Sequence, residues 1–232
     1  MARIARTLRV LVVTGIGLGA VVGGLGGRIA MLLLRVSSPD QVVGVVSDDG
    51  FVIGQVTMAG TYSLVATGAG LGLVGAAIYL LVRRWLIGPA WFRSFTCAAA
   101  AGAVVGSAIV HSDGVDFTLL KPTWLAISLF VLVPAAFGAA IGPAVRPYEK
   151  VDLRIGPGWH QWISPVIAIA MFPPSAFVVG VIAVVMVCWI PLGLVLSRVS
   201  TAPAYGVVVR GAWLAIATFG AYSLVGDVGQ LT

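Results

Sequence analysis

The residues with the most obvious chemical potential are a histidine and several acids in two polar loops. His111, Asp113 and Asp116 lie within one six-residue stretch, and Asp48 and Asp49 form the acidic pair of an earlier loop. An imidazole beside carboxylates could bind a divalent ion or carry out acid–base chemistry on a lipid headgroup. Their spacing matches no motif for such a site, and Asp in Asp-Gly pairs usually serves a turn. Ion pairs and turns are therefore favoured, and neither a metal site nor a cofactor is predicted.

Two arginines near the end of the first apolar stretch are the natural partners of these acids. Arg28 and Arg35 are seven residues apart and therefore share one face of a helix. A charge embedded in a membrane span is by default a functional hypothesis. Arg28 is expected to anchor a lipid phosphate or to brace a loop through Asp113 or Asp116, with snorkelling towards the headgroups as the alternative. Arg28 and Arg35 are thus the lipid-binding candidates.

The composition places these residues in a membrane protein. Hydrophobic residues make up 59% of the 232 positions and charged residues 9%, whereas soluble domains have about 45–50% and 25%. Thirty glycines fit close-packed helices better than a transmembrane β-barrel, whose strands alternate polar and apolar residues.

Cys97 and Cys188 lie in apolar runs and indicate neither a disulfide nor a metal site. No nucleic-acid partner is expected, because loop asymmetry explains the net charge of +6.

The apolar stretches predict an all-α polytopic membrane protein, a bundle of seven transmembrane helices in a single transmembrane domain over residues 1–232. Pro173 and Pro174 divide the stretch 159–196, which is too long for one crossing. A six-span version, with one interfacial helix and one kinked span in that stretch, is the alternative. The seven predicted spans cover about 10–34, 60–82, 95–110, 122–145, 162–172, 175–196 and 205–225.

The distribution of charge predicts the orientation of the bundle. With the N-terminus in the cytoplasm, 11 of the 14 Lys and Arg residues lie on inner segments and six of the eight acids lie outside. The outer loops are then 35–59 and 111–121, and the inner charged loop is 146–158. The inner basic residues at the ends of spans include Arg83, Arg84, Arg93 and Arg146.

Glycines recur every four residues along the first span, at Gly15, Gly19, Gly23 and Gly27. Small residues at this spacing let two helix backbones approach closely and gain van der Waals contact. Packing inside the bundle is the favoured interpretation. A glycine face that docks a partner helix is the alternative.

The first outer loop predicts a β-hairpin. A turn at Asp48, Asp49 and Gly50, followed by Phe51, separates two β-branched runs, which is a strong hairpin signal. Residues 115–120 are expected to add a third strand to a small extracytoplasmic sheet. The free edge of such a sheet could accept a strand from a partner protein, so this turn is a second partner-docking candidate. A lid that seals the bundle is the alternative.

Three segments resemble a family of small polytopic membrane proteins of actinobacteria, to which no activity is assigned. The resemblance covers about residues 8–146 and implies a multi-pass protein of a bacterial plasma membrane, with no catalytic residue to transfer. By analogy, small proteins of this kind serve as accessory subunits of envelope machines such as Mce-type lipid importers. The three segments are Gly26-Gly27-Arg28-Ile29-Ala30-Met31, Ser47-Asp48-Asp49-Gly50-Phe51 and His111-Ser112-Asp113-Gly114-Val115-Asp116-Phe117.

Many packing features and few chemical ones favour a non-catalytic accessory or scaffold subunit of a larger cell-envelope complex, with a lipid-transport machine as the named example. The expected partners are membrane lipids and other integral membrane or envelope proteins. The alternative is a small lipid-modifying enzyme or lipid-binding carrier that acts at the outer leaflet through His111, Asp113, Asp116 and Arg28. A channel or facilitator is the third hypothesis.

Overall fold

The computed structural model describes residues 2–47, 50, 52–111, 114–150 and 203–231. In this part of the chain, five helices are long and apolar enough to cross a membrane, which confirms the predicted membrane-spanning helical character. The seven-helix count is not supported, because the predicted spans 162–172 and 175–196 lie outside the described residues. The five helices are Val10–Ser37, Met58–Val82, Ala90–Ile109, Thr123–Tyr148 and Gly206–Leu231.

The first span is one continuous rod made of three helical segments, α1, a π-helical segment and α2. A polar loop with a 3₁₀ turn leads from it to α3, and the short helix α5 lies between α4 and α6. In chain order the elements are α1 (Ala2–Leu18), the π-helical segment (Gly19–Leu25), α2 (Gly26–Ser37), the 3₁₀ turn (Asp40–Val42), α3 (Met58–Val82), α4 (Ala90–Ile109), α5 (Val115–Leu119), α6 (Thr123–Lys150) and α7 (Pro203–Leu231).

The first span crosses α3 at its glycines. A Cβ on Gly19 would collide with the carbonyl oxygen of Gly68 and would lie 2.8 Å from the Cα of Gly72. A Cβ on Gly15 would lie 2.9 Å from the Cα of Leu73, and one on Gly23 would lie 3.0 Å from the Cα of Gly68. Backbone therefore touches backbone over two helical turns, which is the packing inside the bundle that the glycine repeat predicted.

A second close pair joins α4 to α6. A Cβ on Gly138 would meet the carbonyl oxygen of Cys97, and one on Gly102 would lie 3.2 Å from the Cβ of Ala135. α7 also packs on α4, where a Cβ on Gly220 would lie 3.0 Å from the Cα of Val104. Helix α6 is thus held between α4 and the first span by small residues.

Two apolar clusters lie at opposite ends of this bundle. The first joins α1, α3 and α6, and its fully buried members include Leu11, Leu73 and Ile141. The second joins the first span to the outer loops and α6, and its most buried members are Leu34, Val110, Phe117, Leu120 and Ala126. The outer loops therefore cover their end of the bundle, as a lid would.

The predicted extracytoplasmic sheet is not supported. In the described part of the first outer loop, one isolated antiparallel bridge joins Val46 to Val52. Backbone hydrogen bonds from Gly44 N–H to the carbonyl oxygen of Ile53 and from Ile53 N–H to that of Val45 (both 2.9 Å) accompany the bridge, and Gly44 (φ +91°) and Gly54 (φ +89°) turn the chain beside it. The predicted third strand is wrong, because Val115–Leu119 is helical; Phe117 in this helix and Leu120 directly after it are both buried.

Candidate functional site

The described polar residues of the second outer loop, His111 and Asp116, differ in burial. His111 is exposed, with its Nδ1 3.1 Å from the carbonyl oxygen of Ile109. Asp116 is buried in α5, with 6% of its surface exposed. Asp113, like Asp48, Asp49 and Phe51 in the partner-docking turn, lies outside the described residues. In the described ranges, no three His, Cys, Asp or Glu side chains are grouped as metal ligands.

Arg28 braces the start of α3. Its Nε donates to Thr61 Oγ1 (3.1 Å) and its Nη2 to the carbonyl oxygen of Thr57 (3.3 Å). The Oγ1 of Thr57 in turn caps α3 by accepting from the backbone N–H of Gly60 (3.0 Å). Through these contacts Arg28 braces the junction between the first outer loop and α3, and its partners are two threonines. Lipid binding by Arg28 stays a prediction.

The remaining outer candidates also make contacts within the chain. The Nε of Arg35 lies 3.4 Å from the position of a Cβ on Gly54, so this side chain lies against the first outer loop. Gly27 faces α3, where a Cβ on Gly27 would lie 3.2 Å from Leu64 Cδ2. Gly50 adopts a φ of +76°, as a turn residue with left-handed backbone does. Lipid or partner binding by these residues stays a prediction.

The strongest convergence of polar side chains lies at the other end of the bundle. α3 ends there, α4 begins and α6 ends, and we call this region the basic end. It contains a cavity of about 230 Å³, here named the arginine cavity. Four arginines line it, namely Arg83, Arg84, Arg93 and Arg146. Tyr79, Ala90, Ser94, Cys97, Gly138 and Gly142 complete the lining formed by the described residues.

Helical spacing aligns the lining residues of each helix. On α4, Arg93 and Cys97 are four residues apart and share a face, and on α6 the same spacing joins Gly138, Gly142 and Arg146. Helix α3 supplies Tyr79 one turn before its end and Arg83 directly after it. Each helix therefore presents an arginine at its end and a smaller or neutral group further into the bundle.

Gly142 creates the space in the middle of the cavity. A Cβ at this position would lie 3.1 Å from the Tyr79 hydroxyl oxygen and 3.7 Å from Ser94 Oγ. The two hydroxyl groups therefore border the volume that a side chain on α6 would otherwise fill. Both can donate and accept hydrogen bonds, so the arginine cavity combines four positive charges with two neutral polar groups.

The loop between α3 and α4 fixes the rim of the cavity. Arg93 Nε donates to the carbonyl oxygen of Gly88 (2.9 Å), and Gly88 has a φ of +92°, which suits glycine. Arg210 Nε donates to the carbonyl oxygen of Trp85 (3.0 Å) and so ties α7 to the same loop. The segment that carries Arg83 and Arg84 is thus held at both ends.

The charge of the cavity is unbalanced within the described lining. Burial lowers the pKa of Arg83; the nearby Tyr79 opposes this shift and the positive charge of Arg84 adds to it. Arginine remains protonated in proteins, so burial and repulsion raise the free energy of this cluster of charges. No acidic side chain is among the described lining residues.

Exposed aromatic residues surround the basic end. Trp91 is 71% exposed and Phe95 is 63% exposed, and the rings of Trp91 and Phe92 meet edge to face with centroids 5.7 Å apart. Tryptophan is enriched where a membrane meets water, because its ring is apolar and its N–H is polar. Trp91, Phe92 and Phe95 follow Ala90 at the start of α4, next to the lining residues Arg93 and Ser94.

Sequence reasoning placed these four arginines on the inner side but did not identify them as a site. They come from three separate places in the chain, since Arg83 and Arg84 follow α3 while Arg93 lies on α4 and Arg146 on α6, and only the fold brings these places together. A usable signal was present in α6, where Gly138, Gly142 and Arg146 follow one another at intervals of four residues.

Comparisons of the chain with protein-family models, curated proteins and solved structures found no match.

Proposed function

We propose that this protein is a non-catalytic integral membrane subunit that acts by binding, and that it holds an anionic group in the arginine cavity. The observation that carries this proposal is the set of four arginines around one cavity of about 230 Å³ with no acid in its described lining. Four guanidinium groups around one volume create a positive potential that attracts anionic groups. The site that this geometry favours is thus on the predicted cytoplasmic side, opposite the outer acids and histidine.

We also propose the accessory or scaffold role that the sequence predicts. An accessory or scaffold subunit of a cell-envelope complex, in the plasma membrane of a bacterium, would use such a cavity to hold a lipid or an acidic segment of a partner protein. Helices packed through glycine contacts give the cavity a firm frame, since Gly138 leaves no room between α4 and α6. A lipid-transport machine remains the named example of such a complex.

The test is affinity purification of the tagged protein from its native membranes, with mass spectrometry of the co-purifying lipids and proteins. Three forms are compared: the wild type, Arg83→Gln with Arg146→Gln, and Lys121→Gln. Lys121 is exposed near the outer loops, and Lys121→Gln is the control for the loss of a positive charge away from the cavity. We expect an anionic lipid or an acidic partner to be enriched with the wild type and with Lys121→Gln, and to be lost from the double variant. Retention by the double variant would overturn the proposal.

A further inference from the structure

The chain turns back into the membrane between α3 and α4, and this turn is rich in apolar side chains. α3 (Met58–Val82) and α4 (Ala90–Ile109) are both long and apolar enough to cross a membrane. Only residues 83–89 separate them, so the connection lies where the bilayer meets water. We call residues 84–95, which join it to the first turns of α4, the aromatic corner. More than half of the surface is exposed on each of its residues Ile87, Trp91 and Phe95.

The aromatic corner has a defined shape. Gly88 has a φ of +92°, and a Cβ there would lie 2.8 Å from Phe92 Cδ1, so the Phe92 ring covers the turn. Arg93 Nε holds the carbonyl oxygen of Gly88 at 2.9 Å. Trp91 and Phe95 are four residues apart and share one face of α4. The two exposed rings therefore stand on an ordered frame, and little conformational freedom is lost when a partner covers them.

Three exposed arginines accompany these rings. Arg84 and Arg93 belong to the aromatic corner, and Arg210 is tied to it because its Nε donates to the carbonyl oxygen of Trp85 (3.0 Å). The apolar stem of an arginine can lie along a membrane while its guanidinium group reaches the headgroups. An apolar patch edged by guanidinium groups matches the boundary between headgroups and acyl chains.

The basic end carries an excess of positive charge wherever the acids nearest to it in the sequence lie. Of the eight acids of the chain, five fall between α2 and α3 or between α4 and α6, and Asp227 is near the last residue of α7. Only Glu149 and Asp152 remain. Even without Arg83, the arginines of the basic end outnumber these two acids, namely Arg84, Arg93, Arg146 and Arg210. Its surface therefore attracts negatively charged headgroups.

We propose that the aromatic corner binds the surface of an anionic membrane leaflet and gathers anionic lipids around the basic end. Trp91 and Phe95 lie at the boundary of the acyl chains, and the three exposed arginines contact the headgroups. This interaction goes beyond the proposed function, because its partner is the leaflet and not a single group inside the arginine cavity. Arg84 and Arg93 border both places, whereas Trp91, Phe95 and Arg210 are not among the lining residues of the cavity.

The experiment uses the whole 232-residue chain in vesicles of equal parts phosphatidylglycerol and phosphatidylcholine with the same acyl chains. The tagged protein is extracted in a maltoside and washed on an affinity resin, and the lipids that stay bound are counted by mass spectrometry. We expect an excess of phosphatidylglycerol of at least about fivefold, the value of one basic residue at an anionic surface. The excess should fall when the salt is raised from about 0.1 M to about 1 M, because the Debye length falls from about 10 Å to about 3 Å.

Charge variants connect the excess to the arginines. Arg84→Gln with Arg210→Gln should lower the excess of phosphatidylglycerol at least about fivefold. Arg84→Lys with Arg210→Lys keeps both charges and should keep the excess, since a surface potential depends on charge and not on the shape of the donor. Lys121→Gln removes a positive charge near the outer loops and should have no effect.

Ring variants test the apolar part of the contact. Trp91→Ala with Phe95→Ala should reduce the number of retained lipids of both kinds, because two large apolar side chains are lost from the lipid contact. Phe219→Ala with Tyr222→Ala is the matched control and should retain the wild-type number. These two rings are exposed on α7, further along the helix than Arg210. An unchanged lipid count for Trp91→Ala with Phe95→Ala would overturn the proposed contact.

The remaining outcomes separate the aromatic corner from the arginine cavity. Equal retention of both lipids by the wild type would overturn the inference, as would an excess that persists at about 1 M salt, where exposed charges are screened. The salt comparison needs no variant and so tests the inference even where a variant does not fold. An excess lost from Arg83→Gln with Arg146→Gln but kept by Arg84→Gln with Arg210→Gln would overturn the inference and support the proposed function. The opposite result supports the aromatic corner.

Purification from native membranes adds one outcome. An acidic protein that co-purifies with the wild type and is lost from Arg84→Gln with Arg210→Gln, without any lipid excess in the vesicles, would overturn the lipid surface and assign the aromatic corner to a protein partner.

Discussion

The Nε of Arg210 donates a 3.0 Å hydrogen bond to the backbone carbonyl oxygen of Trp85, 125 positions earlier in the chain. One turn before Arg210 on α7, a Cβ on Gly206 would lie 3.3 Å from Cδ1 of the Trp85 ring. The start of the last helix is therefore fitted to the loop that follows Arg83 and Arg84. The shape of the arginine cavity depends on a helix that contributes no described residue to its lining.

Arg210→Gln should loosen this connection. The expected loss is about 1 kcal/mol, the net value of one hydrogen bond, or a decrease of about 2–4 °C in melting temperature for a chain of this size. Anion binding in the cavity should weaken in parallel. Thr218→Val is the control on the same helix, because Thr218 Oγ1 bonds only within α7, to Leu214 and Ala215. An unchanged melting curve for Arg210→Gln would contradict the proposed tie.

Gly142 and Gly138 should respond differently to the same substitution. The methyl group of Gly142→Ala meets the hydroxyl end of the Tyr79 side chain at 3.1 Å, which can move, so the fold should survive while the cavity shrinks. The methyl group of Gly138→Ala meets the backbone of Cys97, and overpacking of this kind costs about 1–3 kcal/mol. Size-exclusion and melting profiles separate the two effects, followed by an anionic-lipid titration of Gly142→Ala. Wild-type binding by that variant would argue against the cavity as the site.

Gly19 and Gly17 form a matched pair in the first span. Gly19→Ala places a methyl group against the carbonyl oxygen of Gly68, and we expect a loss of about 1–3 kcal/mol or more from backbone displacement. Gly17 has no other atom within 4 Å of its Cβ position, so Gly17→Ala should be neutral or stabilising by up to about 1 kcal/mol through helix propensity. Thermal melting of both variants in one detergent tests this, and equal effects would contradict the observed crossing.

The brace between Arg28 and Thr61 should behave as one coupled unit. Arg28→Gln and Thr61→Val each remove the 3.1 Å hydrogen bond, so the double variant should lose less stability than the sum of the single losses. A coupling of about 0.5–1.5 kcal/mol is expected for such a pair. Additive losses in melting experiments would indicate that the two side chains act independently and would revive the lipid anchor as the role of Arg28.

The outer histidine and acid can be separated by burial. His111→Ala removes an exposed side chain and should leave stability unchanged, whereas Asp116→Ala removes a 6%-exposed group from α5 and should destabilise the outer lid. A lipid enzyme that uses both residues would instead lose its function in both variants. Complementation of a deletion strain, with lipid profiling, distinguishes these cases. An altered lipid profile with a stable His111→Ala protein would favour the enzyme hypothesis.

Local composition was sufficient to predict the helices. The predicted span 60–82 is observed as Met58–Val82, and 122–145 as Thr123–Tyr148, because long apolar runs leave few other structures in a membrane. The glycine repeat from Gly15 to Gly23 was correctly interpreted as packing, since its spacing has a direct geometric meaning. Helical character and close packing are properties of single segments, and a single sequence displays them.

The arginine cavity and the outer lid depend on contacts between distant segments. Arg83, Arg93 and Arg146 look like ordinary positive-inside charges until α3, α4 and α6 are placed side by side. The hairpin prediction used the turn signal at Gly50 and did not consider Gly44 and Gly54, whose positive φ angles turn the chain beside the Val46–Val52 bridge. The prediction of a polar cluster around His111 rested on residue types alone.

The π-helical segment Gly19–Leu25 has a consequence for the register of the first span. A helix that is wound more widely holds an extra residue compared with a regular α-helix. Winding the same residues as a regular α-helix, with none removed, would rotate all that follows by about 100°, the advance of one residue. Arg28 would then leave Thr61, while Leu11, on the other side of the segment, would keep its place. The two halves of this span are thus aligned with α3 separately. The one extra residue sets how far the half at the outer lid is rotated about the helix axis relative to the half at the basic end.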